Sequence, residues 1–96
     1  MIERERNMDK IDMAVNDFAG LVREYRVANG LSLLEWSEVI GYSSSYCWRI
    51  EQSKRQPDFD TKIIILTRGM CWSTDEIYAY LDRIISTKAL EKEKSN

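Results

Sequence analysis

Apolar positions recur along this chain at helical rather than strand spacing. Ile11, Val15, Phe18, Val22 and Tyr25 follow one another at steps of 4, 3, 4 and 3, and Ala14, Leu21 and Ala28 widen the stripe. The pattern predicts one long helix from about Asp9 to Asn29. Gly30 follows where a helix end favours a left-handed residue. A second helix is predicted from Ser32, because Ser32 and Glu35 have the S-x-x-E spacing of a capping box. Trp36, Val39 and Ile40 form its apolar face, and Gly41 ends it. About nine residues are too few for a stable helix in isolation, so this one must be packed.

The stretch "GYSSSYCWRIEQSKRQP", from Gly41 to Pro57, places three serines directly ahead of a helical pattern. Ser43 stands where a new helix needs an N-cap, and its hydroxyl can accept from a first-turn amide. Ser44 and Ser45 then form an exposed helix front. Cys47, Ile50 and Tyr46 supply the buried side, and the helix ends near Gln52. A fourth helix is predicted from about Asp60 to Arg68, stopped by Gly69, with Phe59, Ile63, Leu66 and Met70 on one face. Ser73 and Glu76 repeat the capping-box spacing and open a fifth helix, whose face is Ile77, Tyr80, Leu81 and Ile84. "KIIILT" is β-branched enough to imitate a strand, but helix signals flank it. The expected organisation is a flexible N-terminus at 1–8, a helical domain at 9–87 and a charged, fraying tail at 88–96.

Composition narrows the chemistry. Ninety-six residues allow one domain, and 44% apolar with 31% charged side chains fits a soluble globular class. No apolar run is long enough for a membrane span, and the charged N-terminus lacks a secretory core, so a cytoplasmic protein without membrane association is expected. There is no histidine, and the two cysteines, Cys47 and Cys71, are far apart and flanked by apolar or aromatic residues. They are expected as reduced, buried thiols. No zinc site, no catalytic triad and no phosphate loop is expected, hence no enzyme and no cofactor. Net charge is −2, yet residues 43–68 hold five basic and three acidic side chains. The positive charge is concentrated on the serine-fronted stretch.

Two short helices joined by a tight turn make a helix-turn-helix. The ordered string Leu31-Ser32, Glu35, Gly41, Ser43, Tyr46, Arg49-Ile50-Glu51, Lys54-Arg55 and Pro57 resembles the Cro/repressor-type (Xre-like) family of phage and bacterial regulators. The resemblance covers roughly Leu21 to Ile77. It implies an all-α, five-helix lambda-repressor-like DNA-binding domain, here with extended first and last helices. It also implies a transcriptional regulator that lays the helix starting at Ser43 into the DNA major groove as a homodimer. By position, Ser44, Ser45 and Arg49 would face base edges, and Ser43, Lys54 and Arg55 would lie near the phosphate backbone. Arg26 and Glu51 fall where family members often place a structural ion pair.

The chain departs from the family pattern in four places. Leu33 replaces a common glutamine, Ser53 a common glycine, and Trp48 a small polar residue. One residue is inserted between Pro57 and Ile77. Leu33, Leu34 and Trp48 therefore carry a second reading, a surface for a protein partner such as that of an antitoxin or anti-repressor. The plainer alternatives are peripheral packing of the leucines on the first helix, and partial burial of Trp48 against the first or fifth helix. For Arg49 the plain alternative is a solvated pairing with a nearby acid. Trp36 and Trp72 are expected in the core. The apolar stripes on the first and fifth helices are the candidate homodimer interface.

Overall fold

The long N-terminal stripe breaks at Asp17. In the computed structural model, which describes the backbone of residues 2–95 and the side chains of residues 9–91, helix α1 (Ile2–Asn16) stops there and α2 (Phe18–Ala28) begins. Asp17 leaves the helical region at φ −149°, ψ 66°, and its Oδ1 accepts from the Gly20 amide at 3.0 Å. The single helix predicted for Asp9–Asn29 is thus two. The carboxylate competes for amides that a continuous helix would use itself. Side chains at 1–8 and 92–96, where the expected N-terminal segment and most of the expected tail fall, lie outside the described residues.

The remaining elements are α3 (Leu33–Ile40), α4 (Ser44–Glu51), α5 (Phe59–Ile64) and α6 (Thr74–Ser95), so the described residues are all-α. Among them, no helix is long and apolar enough to cross a membrane. The serines act as predicted. Ser32 Oγ accepts from the Glu35 amide at 3.0 Å while Glu35 Oε1 accepts from the Ser32 amide at 2.9 Å, closing a capping box. Ser73 and Glu76 do the same for α6. Asp58, not Asp60, starts α5, because its Oδ1 accepts from the Thr61 amide at 2.8 Å. That hydrogen bond holds the Asp58 carboxyl below its ordinary pKa.

A π-helical turn, Ile65–Gly69, closes α5. Ile65 and Leu66 in this turn are completely buried, in the core cluster that also holds Trp36, Ile40, Val22, Cys47, Ile50 and Tyr80. Gly69 is needed there for space, not as a left-handed stop. A Cβ on it would come within 2.6 Å of both Ile40 Cγ2 and Trp36 Cη2. The left-handed residue after this turn is Cys71, at φ 57°. Cys71 is exposed, contrary to the expectation of two buried thiols. Cys47 is buried as expected, and loss of solvation pushes its thiol up to about 11. Trp36 and Trp72 are in the core.

Helix α1 lies along α6 in the same direction. Lys10 pairs with Glu76 and reaches over the Trp72 ring, and Asp12 meets Arg83 at 2.9 Å. Ile11, Met13 and Val15 pack with Ile77 and Ile84 onto the core. The apolar stripes of the first and last helices are therefore buried largely within one chain.

Gly69→Ala tests the notch against Trp36. The added methyl is expected to lower stability by about 1–3 kcal/mol, as overpacking does. Urea melts followed by circular dichroism measure it, and an unchanged midpoint contradicts the close approach.

Candidate functional site

Helix α4 has eight residues, and its orientation is set by what it buries. Cys47, Ile50 and Glu51 face the interior. At about 100° per residue, this leaves Ser45, Trp48 and Arg49 on one outward sector, and all three are exposed. Ser44 sits at its edge, half-buried. Ser43 caps the helix, its Oγ accepting from the Tyr46 amide at 3.1 Å. Gly41, at φ 82°, makes the left-handed corner between α3 and α4.

Glu51 is the charged group on the buried side. Its side chain is 3% exposed and Arg26's is 17%. Arg26 Nε donates to Glu51 Oε2 at 2.7 Å and Nη2 to Oε1 at 3.0 Å, a bidentate fork. Arg26 Nη1 also donates to the Leu31 carbonyl at 2.8 Å. The hydrogen bond that Arg26 donates to Glu51 raises the Arg26 pKa further. The pair expected from the resemblance is present, and it joins α2, the α2–α3 turn and α4.

Ser53 adopts the left-handed conformation at φ 57°, which costs a non-glycine residue roughly 1–2 kcal/mol. The reversal lets the amides of Lys54 and Arg55 both reach the Arg49 carbonyl, at 2.8 and 3.2 Å. Two basic residues are thereby fixed at the end of α4. Each then lies over an aromatic ring. Lys54 Nζ is 5.0 Å from the Trp48 centroid, and the Arg55 guanidinium is 5.8 Å from that of Tyr46. Tyr46 in turn packs on Tyr42 at 5.3 Å. Sequence reading missed this stacking of Tyr42, Tyr46 and Arg55. Its signal was the pair of tyrosines, Tyr42 and Tyr46, on either side of the N-cap Ser43.

Leu33, Leu34, Ser44, Ser45, Trp48 and Arg49 line one open groove between the start of α3 and the outer face of α4. Every candidate base-contact and partner-surface residue thus belongs to a single site, with Lys54 and Arg55 at its C-terminal edge. Leu33 is half-buried, whereas Leu34 is 61% and Trp48 42% exposed. Leu33 and Leu34 line this groove with α4, Leu33 also packing against the core, and Trp48 lies beside Lys54. Among the described residues Arg49 makes no ion pair. Nor, among them, does any cluster of three His, Cys, Asp or Glu side chains form a metal site.

Comparison with protein-family models, with curated proteins and with solved structures gives no match to this chain. The reading of the groove therefore rests on its own geometry.

Removing either member of the ion pair should destabilise the fold. Arg26→Met leaves a buried carboxylate without a partner and is expected to cost about 3 kcal/mol, with Glu51→Gln costing less. Urea midpoints measure both, and unchanged midpoints in the two variants would exclude a structural role.

Proposed function

We propose that this chain is a sequence-specific DNA-binding transcriptional regulator of the Cro/repressor-type (Xre-like) helix-turn-helix class. In this reading α2 to α6 form a five-helix lambda-repressor-like core, and α1 is an N-terminal addition packed on α6. Helix α4 enters the major groove. Arg49 reads a guanine through O6 and N7, Ser44 and Ser45 make weaker base contacts, and Ser43, Lys54 and Arg55 hold phosphates. No cofactor takes part.

The observation that carries the reading is the charge of the outward sector of α4. Arg49, Lys54 and Arg55 are all exposed around it. The one acid of the helix, Glu51, is turned inward onto Arg26. A cationic helix face of this kind suits a polyanion, even on a chain whose net charge is −2. A second reading, a protein-interaction module such as an antitoxin or anti-repressor, is favoured by exposed Leu34 and Trp48 in the same groove.

Selection of bound sequences from random duplex DNA at two salt concentrations tests the proposal. Arg49→Ala is expected to cost ~1–3 kcal/mol on the best site and to relax preference at one base pair. Lys54→Ala should weaken all sequences about equally and lower the salt slope by ~1. If no duplex is enriched at low salt, the protein-interaction reading takes its place.

The proposed regulator acts as a homodimer. Since α1 and α6 cover much of each other, the surface left for a second copy is the outer face of α6, where Tyr78 is 64% and Ile85 66% exposed one heptad apart. Sedimentation equilibrium at micromolar concentration should give a dimer for the native chain and a monomer for Ile85→Asp. A native monomer that also binds its selected site as a monomer would contradict this part.

A further inference from the structure

The groove between α3 and α4 is only half polar, although a duplex-reading helix needs hydrogen-bonding groups there. Leu33, Leu34 and Trp48 line it together with Ser44, Ser45 and Arg49. In the major groove the edge of a base pair offers donors, acceptors and one apolar group, the C5-methyl of thymine. Trp48 precedes Arg49 on the same outward sector of α4. The two side chains leave the helix one residue apart along its axis and about 100° apart around it. Their surroundings favour a polyanion as the occupant, since Lys54 lies over the Trp48 ring at 5.0 Å and Arg55 stands beside it in sequence. An apolar protein surface docking here would have to desolvate those cations without offering them charge.

Resting on the DNA reading above, we propose that Trp48, with Leu34 beside it, reads the C5-methyl group of a thymine next to the base pair read by Arg49. The groove thus supplies two kinds of specificity at adjacent steps, a bidentate polar contact and an apolar seat for a methyl. Lys54 has two roles in this arrangement. Its ammonium holds the indole by a cation–π contact and lies at the edge of the groove, where a phosphate would pass. The indole is thereby oriented before any duplex arrives.

The test alters the DNA and leaves the protein intact. Each thymine of the selected site is replaced in turn by uracil, which removes the methyl and keeps every hydrogen-bonding group. Fluorescence anisotropy then gives the affinity of the native chain, Trp48→Ala and Arg49→Ala. One thymine per half-site should respond, with about a fourfold loss for the native chain, the effect of one apolar carbon no longer buried. Trp48→Ala should bind the thymine and uracil sites equally, while Arg49→Ala should bind both more weakly and keep the fourfold difference. A selected site indifferent to every uracil, or one whose uracil response is unchanged in Trp48→Ala, overturns the inference and leaves the DNA reading standing. If no duplex is selected, both fall, and the groove belongs to a protein partner. Circular dichroism melts of Trp48→Ala separate a lost contact from a lost fold, and Trp48→Gln, which keeps bulk but removes the apolar ring, carries the same uracil comparison if the alanine variant unfolds.

Discussion

A carboxylate that retains 3% of its exposure has to be neutralised, and the Arg26–Glu51 fork is how this fold does it. The constraint has wide reach because Arg26 spends its third nitrogen on the Leu31 carbonyl. One guanidinium therefore sets the end of α2, the turn that follows and the end of α4. An eight-residue helix has little stability of its own. The azimuth of α4 comes from burying Cys47 and Ile50 and from keeping Glu51 within reach of Arg26. Which side chains face outward is then a consequence: Ser45, Trp48 and Arg49 are what is left.

Much of this was legible in the sequence because it depends on local chemistry. A serine three residues ahead of a glutamate caps a helix wherever it stands, so Ser32 and Ser73 could be read directly. Gly30 and Gly41 are left-handed, as glycines after helical stripes usually are. The split at Asp17 was not legible. Periodicity records which face is apolar, and both halves turn that face to the same core, so the stripe passes through the break unmarked. Gly69 looked like a helix stop because its true reason, the nearness of Trp36 and Ile40, lies far away in the sequence. The apolar neighbours of Cys71 point to burial, but the turn between the π-helical segment and α6 carries it outward. Arg26 and Glu51 were paired through the family resemblance, since nothing local links two residues on different helices.

The candidate groove brings together two tendencies that usually occupy different surfaces. Leu34 and Trp48 would gain by leaving water, while Arg49, Lys54 and Arg55 are best left in it or opposite an anion. Placing Lys54 over Trp48 and Arg55 over Tyr46 reconciles them in the unbound chain. The charged heads lie over the ring faces, and both basic residues remain exposed. The left-handed Ser53 makes this possible by turning the chain back toward Arg49.

The parallel contact between α1 and α6 joins the two ends of the chain. The other principal helix contacts join neighbouring helices or helices with one other between them. Bringing Lys10 to Glu76 requires the whole intervening chain to be closed into a loop, and the entropy of that closure is lost before the contact gives anything back. The core around Trp36 can collapse first, with the terminal helices closing over it last. Opening should follow the same order in reverse. Amides of α1 would then exchange with solvent sooner than those of α3 or α4, and the groove would outlast the clasp that holds the ends.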